Sequence, residues 1–305
     1  IKIISSGGTY KKIKKMGYYC REVSEFTKSP EILGGRVKTL HPKIYGGILS
    51  IRNNKFHQKE MKINKFEEID LIIVNFYPFE NSLKIKNHND IIENIDIGGP
   101  TLVRAAAKNY KDITVITNTN QYKSLILELE KNKGKTTKKF REKLSEQAFN
   151  LTAYYDSKIS DYLNSKTNNG FPEKKIFHTN LIETLRYGEN PHQKAAIYSS
   201  KKHNEILQLH GKKLSYNNYN DIFSALNISK TLPKNIGIVI VKHANPCGVS
   251  INKNKLESYK LALACDPISA FGGIVSCNFK IKKNLALELK KIFLEVVICN
   301  GIENN

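Results

Sequence analysis

Three short segments in the first half of the chain bring cations, hydroxyls and glycines together. Residues 34–42 read G-G-R-V-K-T-L-H-P, so Arg36, Lys38 and Thr39 offer two cations and a hydroxyl ahead of a proline turn. Alternation along an extended segment puts Arg36 and Lys38 on one side, which suits an anion. A basic surface loop is the plainer explanation of the same residues. Residues 5–9, S-S-G-G-T, fall between a strand end and a helix start. There Ser6 and Thr9 supply hydroxyls, and Gly7 and Gly8 let the backbone approach a phosphate at a helix N-terminus. A strand–helix turn capped by Ser or Thr has the same look. Residues 96–101, D-I-G-G-P-T, lead into a run carrying Arg104 and Lys108, which share a helix face. Asp96 can accept at the helix entrance, and the amides of Gly98 and Gly99 can hold an oxyanion or a phosphate. Tyr77 lies in N-F-Y-P-F, at the carboxyl end of an apolar run, where open α/β sheets place ligands. It is either a hydrogen-bond donor or an aromatic staple under the loop.

The second half concentrates chemistry in three places. Residues 186–193, R-Y-G-E-N-P-H-Q, pack Arg186, Tyr187 and several further polar groups into a loop. Residues 241–248, V-K-H-A-N-P-C-G, leave an apolar run and enter a Pro-Cys-Gly turn. Lys242 and His243 point to opposite sides if the strand continues, and come together if the chain bends. A histidine there can serve as a proton acceptor, or can be structural. Asp266 places a carboxylate between a helix and a strand. No zinc site assembles: the zinc-deaminase pattern needs Glu where Asn245 stands and a second Cys where Ser250 stands.

The elements that must position these groups alternate short apolar runs with amphipathic stretches, the pattern of β-α units and a parallel sheet. Residues 70–75 (D-L-I-I-V-N) predict a strand buried on both faces, and 112–117 another. Helices are predicted over 10–16, closed by Gly17, over 100–109, and over 137–164, where Phe140, Leu144, Ala148, Leu151 and Tyr155 share one face. Further on, strands are expected at 236–242, 272–277 and 294–299, with helices at 256–265 and 284–293. The polar stretch around T-N-N-G-F-P-E-K-K has no period and reads as a linker.

Composition narrows the function classes. The formal charge of +21 invites nucleic acid, but arginines are confined to positions 21, 36, 52, 104, 141 and 186, so the charge is nearly all lysine. Lysines on solvated faces make no groove, and arginine is the preferred base reader. No apolar stretch reaches membrane-spanning length. The start I-K-I-I lacks both a signal-peptide layout and an initiator Met, and the scattered Cys20, Cys247, Cys265, Cys277 and Cys299 read as reduced cytoplasmic thiols.

Eight blocks taken in order are similar to one family. They are S-S-G-G-T, L-G-G-R-V-K-T-L-H-P-K, N-F-Y-P-F, N-I-D-I-G-G-P-T-L-V-R-A-A-A-K-N, L-R-Y-G-E-N-P-H-Q, L-S-Y-N-N, V-K-H-A-N-P-C-G-V and D-P-I-S-A-F-G-G. The chain resembles the bifunctional phosphoribosylaminoimidazolecarboxamide (AICAR) formyltransferase/IMP cyclohydrolases from its first residues to about its last strand. The resemblance implies an α/β chain in two parts. Residues 1–165 would be a methylglyoxal-synthase-like cyclohydrolase domain built on a Rossmann-type parallel sheet. After a linker at 166–180, residues 181–305 would be the first half of a cytidine-deaminase-like α/β transformylase domain without zinc. Because family members start earlier and run further, it also implies truncation at both ends.

By the same resemblance, Ser6, Gly7, Gly8, Thr9, Arg36 and Thr39 hold the nucleotide phosphate and its neighbours, with Gly98 beside them. Lys38, Tyr77, Asp96 and Lys108 occupy the positions credited with ring closure. Arg186, Tyr187, Asp266 and either Asn217 or Asn218 match ligand-contacting positions, and Lys242 and His243 match the catalytic pair of formyl transfer. It implies no tightly bound cofactor and no metal, 10-formyltetrahydrofolate as co-substrate, nucleotide and folate as small-molecule partners, and a cytoplasmic homodimer that binds neither nucleic acid nor membrane. Two other classes compete: a non-catalytic protein binding an anionic regulator, and a lysine-rich nucleic-acid binder, whose affinity would fall steeply with salt.

Overall fold

The computed structural model describes residues 1–85, 87–167, 171–200 and 206–303. The chain divides into two compact units, Ile1–His178 and Thr179–Asn305. Residues 168–170 of the expected 166–180 linker lie outside the described residues. His178, expected in the linker, belongs to the first unit: its ring meets Tyr154 edge-on and its Nδ1 lies 3.5 Å from Asp161.

In the first unit, β1 (Ile4–Ser5) leads through Ser6 into α1 (Gly7–Lys15). There follow β2 (Arg21–Glu22), α2 (Val23–Thr27), α3 (Pro42–Leu49), α4 (Lys55–Ile63), β3 (Leu71–Ile73), α5 (Phe79–Ser82), α6 (His88–Glu93), α7 (Gly98–Lys108), β4 (Thr114–Ile116), α8 (Tyr122–Lys131) and α9 (Lys138–Lys166). Both strand pairs, β1 with β2 and β3 with β4, are parallel. β4 is wholly buried. β3 is not the doubly buried strand its composition predicts: Ile73 is 50% exposed. Apolarity sets how readily a run is buried, but only neighbouring helices decide whether both faces are covered. The core lies between β4, α3, α7 and α9, with Val103, Ala106, Ile116 and Ala148 fully enclosed. The alanines of α7 let α9 come close, and Ser145 on α9 donates to the Ala107 carbonyl at 2.7 Å.

In the second unit, β5 (Asn180–Thr184) and β6 (Ala196–Ser199) form an antiparallel pair. Then come α10 (Tyr216–Thr231), β7 (Gly237–Lys242), β8 (Asn245–Ile251), α11 (Lys255–Cys265), α12 (Pro267–Ala270), β9 (Ile274–Cys277), α13 (Lys283–Leu289) and β10 (Val296–Cys299). The expected helix at 284–293 is thus shorter. The larger sheet has the order β10-β9-β7-β8; β9 and β10 are parallel, and β7 runs antiparallel to both its neighbours. Alternation along β7 fixes the layering. Ile238 and Ile240 pack with Tyr259, Ala262 and Leu285 from α11 and α13, whereas Val239 and Val241 pack with Tyr219, Ile222 and Ala225 of α10. β7 is therefore covered on both sides, as is its neighbour β9.

The Pro-Cys-Gly turn expected after Lys242 is not there. The turn is His243-Ala244, and Asn-Pro-Cys-Gly begins β8. β8 is the sheet edge and its pairing slips between Ile240 and Val241; a proline, lacking an N–H, is tolerated at such an irregular edge. Among the described residues, no helix is long and apolar enough to cross a membrane.

Candidate functional site

In the first unit, segments distant in sequence meet. The Ser6 side chain makes no capping bond to α1, whose first residue, Gly7, has a φ of +55°. A side-chain carbon at Gly7 would lie 3.6 Å from Lys38 Nζ, and one at Gly35 would lie 3.8 Å from it. Thr39 Oγ1 would stand 3.0 Å from a side-chain carbon at Gly98, the first residue of α7. The turn at Ser6–Gly7, the basic segment 36–39 and the start of α7 thus share one place. Two helix N-termini there concentrate N–H groups and positive dipole ends, with an ammonium and a hydroxyl beside them, a setting for an anion. Gly8 and Thr9 are exposed on the first turn of α1.

Both cations already have acidic partners. Lys38 is 2.8 Å from Glu31, and Arg36 forks onto Glu93 at the end of α6. These pairs are half-exposed, and surface pairs of this kind contribute roughly 0–1 kcal/mol, so an arriving anion displaces them at little cost. Asp96 performs the capping role open to it: its Oδ1 accepts the Gly99 N–H at 2.8 Å.

Tyr77 borders a groove of about 330 Å³ between residues 75–80, residues 117–119 and α9, at the carboxyl ends of β3 and β4. It is 65% exposed, so the staple reading does not hold. Lys108 is not brought to this cluster. It is exposed at the far end of α7, and ten residues of helical rise separate it from Gly98 by about 15 Å.

In the second unit, Arg186 stacks over Tyr187 at 4.8 Å and donates to its hydroxyl at 3.2 Å. The backbone N–H of Tyr216 donates to the Tyr187 carbonyl, which brings the start of α10 to this loop. The two asparagines differ sharply. Asn218 is buried, closes a capping box with Ser215 and donates to Glu295; Asn217 is exposed and donates to the Glu189 carbonyl at 3.1 Å.

The chain bends after Lys242. His243 and Ala244 have φ of +52° and +60°, the conformation of a two-residue turn between twisted strands. Such turns favour Asn-Gly, so two other residues there are strained. Asp221 on α10 secures the turn by accepting the Ala244 N–H at 2.7 Å. His243 projects into solvent, while Lys242 donates to the Phe271 carbonyl at 2.7 Å. Asp266 caps α12, and hydrogen bonds from the Ser269 hydroxyl and N–H hold its carboxyl below the usual range. Burial, with Asp266 adding, pushes the Cys247 thiol up against the pull of Lys242. Lys242, Asp221, Asp266 and Cys247 are therefore electrostatic neighbours.

Residues 106–305 match the family described as "AICARFT/IMPCHase bienzyme", and residues 1–101 match the "MGS-like domain". The chain belongs to the AICARFT/IMPCHase bienzyme family. Among relatives named "Bifunctional purine biosynthesis protein PurH", that of Bradyrhizobium diazoefficiens is 46% identical over 305 residues, covering 98% of this chain and 58% of its own length. That of Persephonella marina is 47% identical, covering 99% and 60%, and that of Prochlorococcus marinus is 48% identical with the same coverage. The chain thus spans about three fifths of the length of these relatives.

The residues quoted in the sequence analysis lie in the motifs shared with the family, but several groups beside them gave no signal in the sequence. Glu31 and Glu93 are ordinary acids until folding sets them against Lys38 and Arg36. Tyr155 lies on the apolar face of α9, yet its hydroxyl accepts the Asp96 N–H at 2.8 Å. Asp221 and Glu295 likewise acquire partners only through tertiary contact.

Proposed function

We propose that the protein performs the last two steps of IMP synthesis, ring closure in the first unit and formyl transfer in the second. The observation that carries the reading is the convergence of Gly7, Lys38, Thr39 and Gly98, which suits a nucleotide phosphate and its neighbouring groups. Identity of 46–48% to the bifunctional relatives supports it across both units.

In ring closure the carboxamide nitrogen attacks the formyl carbon and water is lost. Amides of residues 7–9 with Arg36 and Thr39 bind the phosphate. Lys38, Tyr77 and the Gly98 amide stabilise the oxyanion, and Asp96 orients the carboxamide. Lys108 has no part assigned by this geometry. In formyl transfer the amine of AICAR attacks the formyl carbon of 10-formyltetrahydrofolate and tetrahydrofolate leaves. His243 takes the amine proton, Lys242 tunes that histidine, and Arg186 with Tyr187 grips the nucleotide, with Asp266 and Asn217 or Asn218 nearby. Nucleotide and folate are the partners in this reading, and a cytoplasmic homodimer is its form, as the family resemblance implies.

The test is an absorbance assay of IMP formation from the formylated nucleotide, using the protein of the complete reading frame. Lys38→Ala should lower turnover by roughly 10²–10³. Full turnover in that variant would remove the site from the reaction.

A further inference from the structure

Tyr77 and Asp96 sit on separate loops, one after β3 and one before α7, and no hydrogen bond joins them among the described residues. What connects them is Tyr155, in the middle of α9. Its ring packs edge-on against Phe76 at 5.2 Å and against Phe79 at 6.1 Å, gripping the Tyr77 loop from both sides. Its hydroxyl oxygen accepts the Asp96 N–H at 2.8 Å. The side chain is only 6% exposed, and it lines the same groove as Tyr77. The bond is part-buried, and a backbone N–H shielded from water is costly to leave without an acceptor, so it fixes where the Asp96 segment starts. Burial pushes the phenol pKa up, so the group remains a neutral hydroxyl at physiological pH.

We infer that Tyr155 is a positioning residue for ring closure: it holds the Asp96 carboxylate and the Gly98 amide in fixed relation to Tyr77. The role rests on the ring-closure reading of this unit. Of the elements that converge on the anion, Tyr155 is bonded only to the segment leading into α7 and, among the described contacts, to neither α1 nor residues 36–39, so its contribution falls mainly on the chemical step. The hydroxyl also keeps its own proton, for which no acceptor is present among the described residues; it is free to meet a water or a ligand oxygen in the groove.

Tyr155→Phe removes the hydroxyl and keeps the ring packing. In the protein of the complete reading frame, kcat for ring closure should fall about three- to tenfold, the worth of one neutral hydrogen bond. The Kd for IMP should stay within twofold, and formyl transfer in the other unit should be unchanged. Hydrogen exchange at the Asp96 amide should quicken by about tenfold, because its acceptor is gone. Unchanged kcat in the variant of a ring-closing protein would overturn the role, as would a parallel loss of IMP affinity and formyl transfer, which marks general loosening. A wild-type protein that does not close the ring would sink the functional reading itself. Exchange at Asp96 would then still report whether the contact exists.

Discussion

Lys38 Nζ stands 3.6 Å from the point where Gly7 would carry a side chain, although the two residues lie on separate elements. A methyl group at position 7 would therefore point at the ammonium that the site offers an anion. It would also have to adopt a φ of +55° at the first residue of α1.

Gly7→Ala should weaken binding of a nucleoside monophosphate by about tenfold, because relieving the roughly 1–2 kcal/mol that the left-handed conformation costs a side-chain-bearing residue moves the turn out of its anion-binding geometry. Calorimetric titration with IMP reads this directly. Equal affinities in variant and wild type would separate Gly7 from the anion site.

The turn after β7 holds His243 in a conformation that neither it nor Ala244 favours. Ala244→Gly should stabilise the second unit by roughly 0.5–1 kcal/mol, the relief of strain less the entropy glycine loses on folding. Asp221→Ala, by removing the acceptor of the Ala244 N–H, should destabilise it by about 1–3 kcal/mol. Denaturant titration measures both, and stability moving the same way in the two variants would contradict the turn's description.

β8 and α11 approach so closely at Gly248 that an added Cβ would lie 1.9 Å from the Ala262 carbonyl oxygen. Both are backbone, so neither can swing aside. Gly248→Ala should cost about 1–3 kcal/mol or more, as overpacking does, and should lower the thermal midpoint of the second unit. A midpoint like that of the wild type would mean that the strand and helix can part without penalty.

Cys265 is exposed, whereas Cys277 is enclosed between β9 and the α11 layer, where burial pushes its thiol from 9.0 up to about 12. An alkylating reagent near pH 8 should therefore modify Cys265 readily and leave Cys277 intact in the native protein. The folded value lies above the unfolded one, so the stability tied to this thiol is complete below pH 9.0 and declines as pH rises toward about 12. Mass spectrometry after brief labelling decides the first point; early modification of Cys277 would show that this part of the sheet opens easily.

The type of most elements and the inventory of the site were legible in the residues alone. Continuous apolarity at 237–241 favours cover on both faces, and the helices packed there supply it, as they do not at Ile73 of β3. The glycine pairs and the basic segment were legible through their order with the other family blocks, since a capped turn or a basic surface loop explains each of them alone. Tertiary structure alone decided what those residues meet. It bent the chain at His243-Ala244, whose composition does not announce a turn, because antiparallel pairing of Lys242 with Asn245 leaves two residues to reverse direction. It carried Lys108 away from Asp96, because a helix converts ten positions into length. It also set Glu93, Tyr155 and Asp221 beside groups distant in the chain, and no local pattern encodes a partner that only packing brings within hydrogen-bonding distance.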